Sequence, residues 1–218
     1  MLRGAIFDLD GTLLDSMPTW NTLASTYLRS IGCIPQADVD ATVSALSLPQ
    51  AARYFQSEYD ILLSEQEIID GVNTLIRHFY EQEVQPKKDV EQFLHELSRR
   101  GVRMCIATAT DAYLAKAALC RCGLMQYFAG VITCDQVGAG KDQPLIYRQA
   151  LSTLRTSKGE TLVFEDTLPA LHTAKEDGFL TVAVRDDSQP NWPALTELAD
   201  YAMHDYSNAD FWHFADNL

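Results

Sequence analysis

Apolar residues recur along this chain with two different periods, and the switch between them outlines the fold. From residue 86 onward, helical spacing alternates with short continuous apolar runs. In 89–100, Val90, Phe93, Leu94 and Leu97 fall at i, i+3, i+4 and i+7, and Gly101 follows as a stop. Arg103–Thr108 is strand-like through Met104, Cys105, Ile106 and Ala107, and a helix over about 111–122 ends at Gly123. Val131 and Ile132 make a short strand. The next helix, 144–154, carries Tyr147, Ala150, Leu151 and Leu154 on one face. A strand at 161–164, a helix at 168–177 stopped by Gly178, and a strand at Leu180–Val184 complete the series. Strands that are apolar throughout, each followed by a helix, are parallel strands covered on both faces. The pattern predicts an α/β fold with a doubly wound, Rossmann-like parallel sheet, whose sites lie at the carboxyl ends of its strands.

Between the first strand, Gly4–Phe7, and this alternation the period is helical throughout. Trp20, Leu23, Ala24, Tyr27 and Ile31 share a predicted face, with Pro18 near its start and Gly32 at its end. Pro49 opens a second helix, and Ser64 with Glu67 three residues on is a capping-box signature for a long third one. The chain is therefore expected to divide into a catalytic core, 1–16 with 86–218, and an inserted all-helical cap, 17–85. That insertion holds three arginines (Arg29, Arg53, Arg77), nine Asp or Glu and no lysine. Past Val184 the sequence turns irregular. Residues 186–218 hold seven acids and no Lys or Arg, with Ala202 and Met203 expected as an edge strand and Phe211 and Trp212 as a hydrophobic plug.

Composition narrows the function classes. At 218 residues, 47% hydrophobic and 22% charged, the chain has enough apolar material for one good core and a smaller second lobe. No apolar run approaches the ~20 residues of a membrane helix. No signal peptide is expected, since acids appear by position 8. A formal charge of 17 − 30 = −13 argues against a nucleic-acid backbone as partner. Cys33, Cys105, Cys120, Cys122 and Cys134 form no CxxC pair, as expected for reduced thiols in a cytoplasmic protein.

The strongest chemical signal is Ile6-Phe7-Asp8-Leu9-Asp10-Gly11-Thr12. Two carboxylates two residues apart, just where an apolar strand ends, can face one site. Buried together they repel, and a hard divalent cation such as Mg2+ resolves that repulsion. A calcium loop would need Gly at its sixth position and Glu at its twelfth, where Leu13 and Thr19 stand. Three more polar groups fall at strand ends. Thr108, followed by Ala109 and Thr110, offers a hydroxyl and free amides for phosphate oxygens. Lys141 precedes the 144–154 helix, and Glu165-Asp166 end the 161–164 strand. Singly each has an ordinary explanation as a cap or surface charge; in this order they outline a metal, a nucleophile and cations for a transferring phosphoryl group.

This order resembles the haloacid dehalogenase-like hydrolase superfamily, and in its helical insertion the β-phosphoglucomutase-like phosphatases with a small cap. Asp8-Leu9-Asp10-Gly11-Thr12 looks like the first family motif, Thr108 the second, Lys141 the third and Glu165-Asp166 the fourth, over essentially the whole chain. Two departures stand out: Asp142, where the third motif usually continues with proline, and Pro169 and Ala170, where glycine usually follows the fourth.

The resemblance implies a phosphomonoester hydrolase that uses Mg2+. In it Asp8 would be the nucleophile, forming an aspartyl-phosphate, and Asp10 the general acid and base. Thr108, the Ala109 amide and Lys141 would hold the phosphoryl oxygens. The metal would fall to Asp8, the Asp10 carbonyl and Asp166, with Glu165 direct or through water. Asp10 argues against the metal-free dehalogenases, and a lysine-free cap against Schiff-base phosphonate cleavage. The arginine that follows Gly-x-Ser in a phosphoglucomutase cap is matched here by Leu48, after Ala45-Leu46-Ser47, which disfavours a mutase; Arg53 or Arg77 would have to substitute. A phosphorylation-switched receiver module is the alternative of another class, separated by its lack of turnover. Met17, Trp20, Ser47 and Leu48 are candidate specificity residues. The expected substrate is a small sugar phosphate or similar ester, the expected state a monomer or weak dimer, without membrane or nucleic-acid partners.

Overall fold

The computed structural model describes residues 1–43, 46–207 and 210–218. It separates into two compact units, Met1–Asp15 with Val84–Leu218, and Ser16–Glu83. In chain order, strand β1 (Gly4–Phe7) precedes helices α1 (Met17–Trp20), α2 (Leu23–Ser30), α3 (Val39–Val43), α4 (Leu48–Tyr59) and α5 (Glu65–His78). Then come α6 (Val90–Arg99), β2 (Arg103–Thr108), α7 (Ala112–Arg121), β3 (Phe128–Thr133), α8 (Cys134–Val137) and α9 (Leu145–Leu154). β4 (Thr161–Glu165), α10 (Leu168–Glu176), β5 (Leu180–Val184), α11 (Trp192–Leu198), β6 (Tyr201–Met203) and α12 (Asp210–Asp216) complete the chain.

The first unit is built on a six-stranded sheet in the order β3-β2-β1-β4-β5-β6, parallel throughout. Both neighbours of β1 are in register with it: Phe7 stands opposite Ile106 on one side and Phe164 on the other. Alternation along the strands sorts the two faces. Ile6, Cys105 and Val163 pack against Ile146, Tyr147, Ala150 and Leu154 of α9. On the opposite face Phe7 stacks on Phe164 with ring centroids 4.2 Å apart, and Phe93 meets Phe164 edge-on. Because β1 is central and buried along its whole length, whatever follows Phe7 is delivered to the middle of the sheet's carboxyl edge.

Three local expectations change. β3 runs Phe128–Thr133, longer than Val131 and Ile132 alone, because Phe128 pairs with Met104 and Thr133 with Thr108 of β2, while Ala129 and Gly130 stand at a register shift between those pairs. The tail beyond Val184 is not wholly irregular: α11 starts with Pro193 in its first turn. Phe211 and Trp212 lie on α12, 5.0 and 5.3 Å from the Phe93 ring. Finally, the single helix expected from Trp20 to Ile31 is two helices. The Thr22 hydroxyl donates to the Pro18 carbonyl at 2.8 Å, where a continuing helix would place the Thr22 amide. Trp20 and Ile31 are exposed in consequence, and Leu28 joins the buried stripe.

The helical unit has its own core of Ala24, Tyr27, Leu28, Val39, Ala52, Phe55, Ile68 and Val72. Asp40 caps α2 by accepting from the Ser25 amide at 2.9 Å. Full capping boxes start α4 (Ser47 with Gln50) and α5 (Ser64 with Glu67). At Gly71 on α5, an added Cβ would lie 2.7 Å from the Tyr27 ring, so only glycine lets α2 approach this closely. Ala45 of the tetrapeptide compared with the mutases lies outside the described residues. Among those described, no helix is long and apolar enough to cross a membrane.

Candidate active site

Asp8 is the first residue past β1. Its amide donates to the Phe164 carbonyl at 3.0 Å, one further rung of the ladder, and the chain then turns away. Both Leu13 and Leu14 donate to the Leu9 carbonyl at 2.9 Å, and Gly11 sits at φ +78°, a conformation glycine adopts without strain. The turn leaves Asp8 buried and Asp10 half-buried at the sheet's carboxyl edge.

Next to Asp8 stand Glu165, the last residue of β4, and Asp166, just beyond it, both buried. One carboxylate oxygen from each of the three lies within 4.8 Å of the others. Lys141 reaches in from the loop after α8. Its ammonium donates to Asp8 Oδ1 and, at 2.7 Å, to Glu165 Oε1. The same Oε1 accepts the Tyr147 hydroxyl at 2.7 Å. Thr12 Oγ1 donates to Asp166 Oδ1 at 3.2 Å, and the Tyr206 hydroxyl fixes the Thr12 carbonyl at 2.9 Å. Asp166 Oδ2 is buried with no hydrogen-bond partner among the described residues.

Across the edge, at the end of β2, the buried Thr108 forms a side-chain turn: its Oγ1 accepts the Thr110 amide at 3.0 Å. Thr110 Oγ1 in turn donates to Asp10 Oδ2 at 2.6 Å. Ala109, between them, is exposed.

The electrostatics follow from burial. Burial opposes the Lys141 charge, but Asp8 and Glu165 outweigh it and hold the ammonium protonated well above the ordinary lysine range. Glu165 is pushed up to about 7, first by burial and then by Asp8, with Lys141 pulling the other way. Asp166 is pushed up to about 8 by burial, reinforced by Asp8 and Glu165. Burial and the adjacent Glu165 raise the Tyr147 hydroxyl far above its normal range, so it remains a donor.

These carboxylates fit a divalent cation. Three ionised acids less one ammonium leave a buried charge of −2, which protons or a dication must offset. The donors are hard oxygens, and Asp166 Oδ2 has no partner among the described residues.

The structure thus brings Asp8, Lys141, Glu165 and Asp166 into one cluster and ties Asp10 to the Thr108 turn. Met17, Trp20, Ser47 and Leu48 belong to the helical unit, where Trp20 Nε1 donates to the Tyr80 hydroxyl at 3.0 Å and Ser47 caps α4. Sequence reading missed Tyr147 as a polar contact, since it falls on the apolar face of α9. It also missed Tyr206, which lies in the tail and carries no motif. Thr12 and Thr110 were visible only as motif neighbours.

An acidic cluster at the carboxyl edge of a parallel sheet, with a buried lysine bridging two of its acids, is the arrangement the sequence motifs led one to expect of a phosphoryl-transfer site. The chain belongs to the haloacid dehalogenase-like hydrolase family, whose model matches residues 5–184. It is an enzyme of the phosphoric monoester hydrolase class. A phosphorylated carbohydrates phosphatase of Thermotoga maritima is 25% identical over 209 residues, 93% of this chain and 94% of that protein. A fructose-1-phosphate phosphatase of Escherichia coli is 28% identical over 188 residues, 84% of this chain and 96% of its own. In fold, the chain superposes on a Thermotoga maritima protein described as a candidate β-phosphoglucomutase with TM-score 0.82, at 24% identity over 93% of this chain and 94% of that one.

Proposed function

We propose that this chain is a Mg2+-dependent phosphatase that hydrolyses a small organic phosphomonoester, a sugar phosphate or similar, through an aspartyl-phosphate on Asp8. The observation that carries the reading is the Asp8 carboxylate held by Lys141 beside the unpartnered oxygen of Asp166. Asp8, the Asp10 carbonyl and Asp166 would hold the ion, with Glu165 direct or through water, and the bound ion would offset negative charge on the transferring group. Lys141 orients the Asp8 carboxylate and adds a cation for the phosphoryl oxygens, alongside Thr108 and the Ala109 amide. Asp8 attacks phosphorus, Asp10 gives its proton to the leaving oxygen, and Asp10 then takes a proton from the hydrolytic water.

The phosphorylated-carbohydrate and fructose-1-phosphate specificities of the two relatives support a sugar-phosphate substrate. We assign discrimination among substrates to the helical unit, with Met17, Trp20, Ser47 and Leu48 as candidate contacts. Leu48 where a mutase carries arginine, and Arg53 engaged by Glu65 at 2.9 Å, favour hydrolysis over mutation of the substrate. All five cysteines are free thiols, which supports a cytoplasmic enzyme; a monomer or weak dimer is the expected state.

Phosphate release from a panel of sugar and nucleotide monophosphates, with Mg2+ or with EDTA, tests the reading. Mg2+-dependent release that Asp8→Asn abolishes is expected. Release that persists in Asp8→Asn, or isomerisation of a sugar phosphate without release, would overturn it.

A further inference from the structure

Thr12, on the turn that follows β1, is fully buried and is held through both its carbonyl and its hydroxyl. The turn's own hydrogen bonds run to the carbonyls of Leu9 and Leu14, whereas the Thr12 carbonyl is held from outside, by the Tyr206 hydroxyl at 2.9 Å. The Thr12 hydroxyl donates to Asp166 Oδ1 at 3.2 Å. Tyr206 comes from the segment between β6 and α12, 194 residues further along the chain. Its buried ring meets Phe93 edge-on, with centroids 5.1 Å apart. Its backbone lies in an Asx turn, in which Asp205 Oδ1 accepts the Ser207 amide at 2.9 Å and the Ser207 hydroxyl at 2.5 Å. Burial, reinforced by Asp166 and Asp8, raises the Tyr206 hydroxyl well above its ordinary range, so it stays a donor.

We infer that Tyr206 is a positioning residue for the divalent ion: by holding the Thr12 peptide it keeps the Thr12 hydroxyl on Asp166 Oδ1, and so keeps Oδ2 free for the ion. The inference rests on the assignment of that ion to Asp166 proposed above. A carboxylate has two equivalent oxygens, and a donor fixed on one of them sets the direction of the other. Asp166 Oδ2 is the oxygen that is buried with no partner among the described residues. Threonine is stiff at the torsion that places its hydroxyl, so the position of that hydroxyl follows the backbone that carries it. Tyr206 fixes that backbone. Two hydrogen bonds in series, Tyr206 to Thr12 and Thr12 to Asp166, thus join the tail, the turn after β1 and the end of β4. None of these groups touches phosphorus in the proposed reaction, so their effect falls on the affinity for the ion.

Calorimetric titration of the full chain with Mg2+ alone, without ester, tests this. Tyr206→Phe removes only the hydroxyl and should weaken Mg2+ binding about 3- to 10-fold. Thr12→Val removes the donor on Asp166 itself and should weaken it about 10- to 100-fold, while Thr12→Ser should bind like the wild type. Tyr206→Phe combined with Thr12→Val should bind no more weakly than Thr12→Val, since the Tyr206 bond acts through the Thr12 hydroxyl. Melting in EDTA measures the separate cost of each hydroxyl to the fold, which does not enter the affinity of the folded chain. Mg2+ binding unchanged in Tyr206→Phe, or losses that add in full in the double variant, would overturn the inference. Asp166→Asn separates this inference from the reading beneath it. If Asp166→Asn weakens Mg2+ strongly and Tyr206→Phe does not, the role of Tyr206 alone fails. If Asp166→Asn leaves Mg2+ binding intact, the assignment of the ion to Asp166 fails, and this inference with it.

Discussion

Loading the acidic cluster with Mg2+ should release protons, in a number that the burial of Glu165 and Asp166 sets. Both are raised into the neutral range, to about 7 and about 8, and they titrate as a pair. At about pH 6.5 the metal-free pair therefore holds between one and two protons that exposed carboxylates would have lost. An ion needs these oxygens ionised, so binding displaces the protons. The dissociation constant should then fall by one to two powers of ten per pH unit between roughly pH 5 and 7, about 1.4 to 2.8 kcal/mol per unit, and level off above roughly pH 8. Stability follows the same linkage. A carboxylate raised in the folded state supports the fold fully below its unfolded value, and that support is lost as pH rises through the folded value. The melting temperature in EDTA should fall from about pH 5 to pH 8, while the increment from Mg2+ grows. At a hundredfold excess over the dissociation constant the increment is about 2.7 kcal/mol, roughly 5–10 °C for a chain of this size. Calorimetric titration in two buffers of different ionisation enthalpy counts the protons. Tight binding with no proton release, and no pH dependence across this range, would refute the assignment of these carboxylates to the ion.

Tyr147→Phe removes one of the two donors on Glu165 Oε1, raises that carboxyl further, and should weaken Mg2+ binding at neutral pH several-fold in the same calorimeter. Lys87 and the buried Asp186 form an ion pair at 2.8 Å; burial pushes the Asp186 carboxyl up, but the bonds from Lys87 and Ser188 outweigh it and hold it low. Lys87→Met should cost about 3 kcal/mol in denaturant unfolding near neutral pH, and the difference from wild type should shrink as pH falls through the depressed value of Asp186. Gly71→Ala forces a methyl to within 2.7 Å of the Tyr27 ring and should destabilise the helical unit by about 1–3 kcal/mol, against its gain in helix propensity; Tyr27→Leu in the same chain should relieve it. Ser64→Ala breaks a full capping box and should cost about 1 kcal/mol.

Much of this site was legible because the apolar period marks where strands stop. Asp8, Thr108 and Glu165 are polar groups at the ends of apolar runs, and a parallel sheet places such ends side by side. The loop that sends Lys141 back over Asp8 has no period, so its reach appears only in three dimensions. Tyr147 was hidden by its own hydrophobicity: on a helix face of Ala150, Leu151 and Leu154 it counts as packing, and nothing in that spacing reveals a hydroxyl aimed at Glu165. Tyr206 follows the last edge strand, and its bond to Thr12 spans nearly the whole chain. The break between α1 and α2 was missed because one Thr22 hydroxyl captures a backbone carbonyl, a competition that periodicity does not register.

Asp8 should carry the phosphoryl group during turnover, and trapping that adduct tests this most directly. Asp10→Asn with a nitrophenyl phosphate and Mg2+ should complete the first transfer, whose leaving group needs no proton, and stall before hydrolysis. Acid quenching followed by peptide mass spectrometry should find a phosphoryl adduct on Asp8, together with a stoichiometric burst of nitrophenol. A burst with the adduct on another residue, or continued turnover with Asp8 unmodified, would contradict it.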